Sequence, residues 1–224
     1  MRHLIGIAAL FVSLALFAGC VPPGTEPEPE PLSPIRQVDD LFVDVDVDGD
    51  GDDDGYQLTT NDSAFWGPYG YTLWALKGAE QTPFTGREVS LCKTSGDDSA
   101  GYGIVICHYE DADPGIGETM LVVMINTNRQ YIVGEVMGAE FTQIVAWTYS
   151  DRLLANKGQT NVVRVDYDGV LKEYILRLNG TEVKSFRDDE APIHSAGGGN
   201  GYIAVISPLD EFPAVPVQVT FMDQ

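Results

Sequence analysis

The chain has 224 residues, 34 of them acidic and 13 basic, for a formal charge of −21. That balance argues against nucleic acid as a partner, because displacing counterions from phosphates needs a basic surface. It suits an exported protein that meets cations, and the 169 residues after Gly55 suffice for one well-buried domain but not comfortably for two.

In chain order, Arg2 and His3 precede an apolar run, Leu4 to Phe17, too short to span a bilayer comfortably. The run ends in FAGC at Cys20, which resembles a bacterial lipobox. The resemblance implies a signal peptide over residues 1–19, cleavage before Cys20 and lipidation of its thiol. Stable anchoring needs more than one acyl chain, which Cys20 would carry, and Val21 rather than Asp after it points to an outer membrane or cell surface. The alternative is an ordinary signal peptide with an incidental cysteine.

Residues 20–38 alternate Pro with Glu and Gly, bury nothing, and read as an extended tether. Residues 39–55 then contain LFVDVDVDGDGDDDG, in which Asp44, Asp46, Asp48, Asp50 and Asp52 recur at every second position. A continuous strand would stack all five carboxylates on one face. The segment is therefore either a solvated acidic spacer or a loop around a hard cation. Alternating carboxylates with Gly at the bend supply what Ca²⁺ requires, and D-x-D-x-D-G resembles the opening of EF-hand, dockerin and thrombospondin type 3 calcium loops. The twelfth position is Gly55 counted from Asp44 and Gln57 counted from Asp46, so the closing Glu of an EF-hand is missing.

Residues 56–224 read as strands at about 56–60, 71–77, 86–94, 101–109, 118–126, 130–137, 140–148, 160–167, 170–178, 181–187, 200–206 and 214–222. Only residues 150–157 could form a helical turn or two. Many short strands with Gly, Asn, Asp and Pro between them predict two packed antiparallel sheets. The plainest stretch is Thr160 to Phe186, where Asp168-Gly169 and Asn179-Gly180 have the composition of type I′ turns. Val163, Val165 and Tyr167 should then face Tyr174, Leu176 and Leu178 on one buried side. Cys92 and Cys107 lie in strands that the loop 95–101 would join as a hairpin; a disulfide between them is favoured over two inert thiols. Trp74 and Trp147, inside strand patterns, are expected in the core.

An Asn before a Val/Arg strand, Asp168-Gly169, YxLxLNGTxV from Tyr174, and Gly201-Tyr202-Ile203 before a last Val-rich strand together resemble the concanavalin A-like jelly-roll superfamily. The nearest likeness is to laminin-G-like and 3-keto-disaccharide hydrolase-type domains. GYGIVI (101–106), QYIVGE (130–135) and IVAWT (144–148) fit the same order, so the resemblance runs from about Tyr71 to Phe221. It implies an all-β, two-sheet antiparallel jelly-roll sandwich, and fold is not function.

Carbohydrate-cleaving members of that superfamily set E-x-D-x-x-E along one strand. This spacing does not occur here. Glu135 with Glu140 and Glu173 with Glu182 read as solvent-facing. His108, near Glu110, Asp111 and Asp113, has no second His at ligand spacing and reads as a loop-rim residue. His194 precedes a Gly-rich run that leads into a strand, hence a turn and not a phosphate cradle. The aromatic loop FWGPYGY, with Trp66, Tyr69 and Tyr71, could stack on sugar faces or simply close the end of the core. The sequence thus predicts a lipid-anchored envelope protein that binds a glycan or an envelope protein without catalysis and is stabilised by calcium. A glycoside-active enzyme and a purely structural lipoprotein are the alternatives.

Overall fold

The computed structural model describes residues 35–60, 71–110, 117–138, 140–187, 197–207 and 215–224. Cys20, expected to be lipidated, the expected signal peptide and most of the expected tether lie outside the described residues, as do Trp66, Tyr69, Asp111, Asp113 and His194. Tyr71 opens a strand, but its side chain is also outside the description. Leu32–Gln224 is one compact unit.

Its strands are β1 (Ile35–Gln37), β2 (Phe42–Val45), β3 (Gly55–Thr60), β4 (Tyr71–Gln81), β5 (Gly86–Ser95), β6 (Tyr102–Glu110) and β7 (Glu118–Ile125). They continue with β8 (Gln130–Met137), β9 (Glu140–Tyr149), β10 (Thr160–Asp168), β11 (Glu173–Leu178), β12 (Thr181–Arg187), β13 (Gly198–Ser207) and β14 (Val217–Asp223). Two seven-stranded sheets result. Sheet A has the order β1-β4-β13-β6-β7-β8-β9 and sheet B the order β12-β11-β10-β5-β14-β3-β2. All pairings are antiparallel except β1 with β4.

The meander forms in the expected register, with Val163, Val165 and Tyr167 opposite Leu178, Leu176 and Tyr174. Its second turn is the two-residue bend expected, with φ of 48° at Asn179 and 79° at Gly180. Its first turn differs. Asp168 pairs with Glu173, so the loop is four residues long, and the left-handed position falls at Lys172 (φ 53°). The Asp168 side chain causes this by accepting from the backbone of Val170 and Leu171 at 2.8 and 2.9 Å, which favours the longer bend.

Residues 35–45, expected in the tether and the acidic loop, instead form a strap along both sheet edges. β1 lies beside β4, a short 3-10 turn (Asp39–Leu41) follows, and β2 lies beside β3. Asp39 Oδ1 accepts from Leu76 N at 3.1 Å, and Phe42 buries its ring against Phe221 at 5.7 Å. The strap enters beside the start of β4 and leaves β2 at the opposite end of the sandwich, where the Asp-rich loop sits. We call these the tether end and the acidic end.

The expected Cys92–Cys107 disulfide is absent: no bond joins the two thiols. β5 and β6 are consecutive in sequence but belong to opposite sheets, so the loop between them crosses the sandwich and is not a hairpin. Cys92 lies on a strand position between Leu91 and Lys93, both buried, and is itself only partly covered, whereas Cys107 is buried in the inter-sheet core. Trp147 also departs from expectation. It is 36% exposed, at the outer side of edge strand β9.

The main core lies between the sheets, and β5 shows how its ends are closed. Arg87, Val89, Leu91 and Lys93 alternate toward the interior, so two apolar residues are flanked by two buried cations. At the acidic end Arg87 donates to the carbonyls of Val105 and Gly201 at 3.1 and 2.9 Å and to Asp223 at 2.9 Å. At the tether end Lys93 Nζ donates to the carbonyls of Asp97 and Ala100 at 2.5 and 2.9 Å, with its charge 5.6 Å from the Tyr102 ring. Arg87 satisfies two carbonyls beside the register shift between β13 and β6, and Lys93 two in the loop after β5, which is the condition for burying each cation.

A second apolar cluster lies on the outer face of sheet A, including Trp74, Val105, Met120, Val122 and Ile203, all at most 1% exposed. This face is curved. Gly101 continues the β6 line by accepting from Val205 N at 2.8 Å. The tip of the Trp147 ring, three strands away on β9, stands 3.0 Å from where a Cβ on Gly101 would be. Three flat inter-strand spacings come to about 14 Å, more than one indole side chain spans, so the sheet curls over Met124.

Candidate functional site

Three places carry groups that core packing does not account for: the Asp-rich loop, the curved outer face of sheet A, and the mouth of the sandwich at the acidic end.

The Asp-rich loop is the β2–β3 connection, closed by Asp54 N donating to Val45 O at 2.8 Å. Its backbone wraps its own carboxylates. Asp54 Oδ2 accepts from Val47 and Asp48 at 2.7 and 3.1 Å, and Asp46 accepts from Gly49 and Gly51 at 2.6 and 2.9 Å. Gly49 and Gly51 hold φ of 82° and 100°, which L side chains rarely adopt. The oxygens of Asp46, Asp48 and Asp50 converge to within 4.8 Å of one another and are all exposed. Among the described residues no ion pair reaches them. Each like-charge contact at that spacing costs about 0.9 kcal/mol in water. Of the five aspartates expected to hold an ion, these three come together. Asp44 stays on β2 and faces a cleft of about 210 Å³ with Asp53, Asp54, Tyr56, Lys77 and Asp223, while Asp52 donates its backbone N–H to Asp50. Burial, then Asp44, Asp223 and Asp53, raise the Tyr56 hydroxyl above its ordinary range.

On the outer side of sheet A the apolar cluster is itself covered, and the groups left exposed lie at its two ends. At the tether end the rim is aromatic, with Trp147 36% and Tyr149 62% exposed. At the acidic end it is ionic. Glu110 and Glu118 stand directly opposite each other on β6 and β7, a like-charge pair that costs stability. Beside them His108 is not a loop-rim residue: it is buried, its ring lies 5.0 Å from that of Trp74, and its Nε2 has no hydrogen-bond partner among the described residues. Burial lowers the His108 pKa, while Glu118 and Glu110 act in the opposite direction, so the imidazole is neutral near pH 7. Glu118 carried no signal in the sequence, because only the β6–β7 register brings it to Glu110. The carboxylates singled out from sequence are ordinary surface groups by comparison. Glu173 pairs with Arg187 at 3.4 Å and Glu182 with Arg177 at 3.5 Å; Glu140 is exposed and Glu135 half-buried.

At the mouth of the sandwich, Ala79, Gln81, Arg87, Glu88, Asn200 and Asp223 line a cavity of about 260 Å³. Tyr202 donates to Asp223 at 2.7 Å, and Asp223 in turn fixes Arg87.

This architecture, two curled antiparallel seven-stranded sheets over one core, is a concanavalin A-like jelly roll. Solved structures with the same fold include a Bacteroides ovatus family GH16 protein from a mixed-linkage glucan locus in complex with an oligosaccharide product. It has a TM-score of 0.59 and 9% identity, with 86% of this chain and 87% of that one covered. The catalytic domain of a Thermotoga maritima laminarinase aligns with a TM-score of 0.56 and 10% identity over 86% of this chain and 83% of that one. Carbohydrate-binding module CBM66 from Bacillus subtilis aligns at 0.52 and 10% identity, covering 84% and 96%. No protein-family model matches the chain, and no curated protein matches it. At these identities the likeness is one of fold.

Proposed function

We propose that the chain is an extracytoplasmic binding module, anchored in the cell envelope through lipidated Cys20, that binds glycan chains without cleaving them and uses Ca²⁺ at Asp46, Asp48 and Asp50 to stiffen its acidic end. The observation that carries the glycan reading is the exposure of two aromatic rings, Trp147 and Tyr149, on edge strand β9. Flat aromatic rings in such a place stack on the apolar faces of sugars, and folding gains nothing from leaving them in water. The fold is one on which both a carbohydrate-binding module and glucan-cleaving enzymes are built. The test is binding of the chain from Val21 onward to immobilised polysaccharides. Trp147→Ala/Tyr149→Ala should weaken binding at least tenfold; unchanged affinity would remove the rim from the mechanism.

A second reading rests on one observation. Glu110 and Glu118 lie side by side next to a buried neutral His108, and paired carboxylates are the machinery of glycoside hydrolysis. If the chain is a glycoside-active enzyme, Glu118→Gln abolishes release of reducing sugar from the polysaccharide it binds. A structural lipoprotein docked to an envelope protein would bind no polysaccharide at all.

A further inference from the structure

We propose that the mouth of the sandwich at the acidic end is a subsite for one terminal sugar ring, gripped through a pair of adjacent hydroxyls; the proposal rests on the glycan reading above and gives that ligand a second place to bind. Two polar groups at the floor are fixed and only partly used. Asn200 is 1% exposed and its Nδ2 donates to Ala79 O at 2.5 Å, but its Oδ1 has no partner among the described residues. A buried acceptor left so costs stability, which an apolar residue there would avoid. Arg87, 7% exposed, spends its Nε and one Nη2 hydrogen on Asp223 and its Nη1 on two carbonyls, leaving a second Nη2 hydrogen.

The two converge over Gly78, where a Cβ would stand 2.8 Å from Arg87 Nη2 and 3.0 Å from Asn200 Cβ. The lack of a side chain at Gly78 is what lets both groups pack there, and both line the cavity. A spare donor and an unpaired acceptor in one cavity match a vicinal diol, one hydroxyl accepting from Nη2 while its neighbour donates to Oδ1. Charge narrows the ligand to a neutral one. The guanidinium at the floor opposes a cation, and Glu88 and Asp223 on the walls oppose an anion. Size narrows it further, since 260 Å³ falls below the roughly 300–1,000 Å³ of ordinary small-molecule sites and suits one ring. Asp223, itself held by Tyr202, keeps Arg87 in place before any ligand arrives.

The experiment is a ¹H–¹⁵N titration of the chain from Val21 onward with methyl glycosides of glucose, galactose, xylose and N-acetylglucosamine. The signals followed are the Asn200 side-chain amide, the Arg87 Nε–H at the same cavity and the Trp147 indole N–H. At least one glycoside should shift the Asn200 amide in a saturable way. Asn200→Leu should abolish the saturable shift of the Arg87 Nε–H signal while leaving the unfolding midpoint unchanged or higher, and Asn200→Ala, which removes the same acceptor with a smaller side chain, should do the same if the leucine variant does not fold. An Asn200 amide that no glycoside moves means an ordered water satisfies Oδ1, and the subsite is wrong. A Trp147 response without an Asn200 response also overturns the subsite but leaves the glycan reading standing. No response at either signal, with longer oligosaccharides included, overturns both.

Discussion

Replacing Lys93 by Met tests how the tether end of the core is sealed. Burial lowers the Lys93 ammonium from its usual range to about 8, against the pull of Asp97 and Asp98 in the loop above it; Lys157 adds to the lowering. In the unfolded chain the same group titrates near 10.4. A base whose pKa is depressed by folding binds fewer protons in the folded state between those two values. Stability therefore rises as pH passes upward through 8, by about 1 kcal/mol between pH 7.5 and 9 for one site. For a domain of this size that is about 2–4 °C in Tm. The window closes at the top because burial raises Cys107 to about 12. An acid whose pKa is raised by folding loses stability once pH exceeds its unfolded value, near 9, and the raised hydroxyls of Tyr102 and Tyr202 add to this above pH 10. Urea unfolding at pH 7.5, 8.25 and 9 should show the gain in the parent chain and a flat or falling profile in Lys93→Met. A parent profile that falls across this interval, or a gain that survives in the Met variant, would refute the assignment.

Asp223→Ala should destabilise the domain by about 1–3 kcal/mol, since it takes the Nε and Nη2 partner from a guanidinium that is 5% exposed and removes the acceptor of Tyr202; chemical denaturation reads it directly. Gly134→Ala should cost about 1–3 kcal/mol, because a Cβ there would stand 2.3 Å from the Phe141 ring and 2.9 Å from Thr142 O. Calcium should raise the unfolding midpoint of the chain from Val21 onward and chelator should lower it, a difference that Asp46→Ala/Asp48→Ala abolishes; identical midpoints would leave the loop as a solvated bend.

The sequence made the strands legible because each alternates in and out, and it made the Asn179-Gly180 bend legible because few other residues accept that backbone. It could not reveal which sheet each strand joins. Sheet membership is a long-range property, and the misplaced Cys92–Cys107 bridge came from assuming that β5 and β6 were partners because they are neighbours in the chain. The same limit hid the Glu110–Glu118 pair. Arg87 and Lys93 were hidden for another reason: a strand that carries a charge at each end of an apolar pair looks amphipathic with its polar residues outward, and only the carbonyls waiting inside reverse it. β1 and β2 escaped notice because three- and four-residue strands give too little alternation to stand out beside Pro-rich and Asp-rich runs. Trp147 is exposed for a cause that no local pattern records, since β9 has a neighbour on one side only.

The strap over residues 35–45 has a mechanical consequence. It runs from the tether end toward the acidic end, along β1 and then β2. Tension applied at Ile35 toward the tether end, while a ligand holds the rest of the domain, pulls along the strand axes. The bonds of β1 to β4 and of β2 to β3 are then loaded side by side in shear, together with the Asp39–Leu76 contact, and do not peel one after another. The chain thus joins its fold in the direction from which it can bear a load.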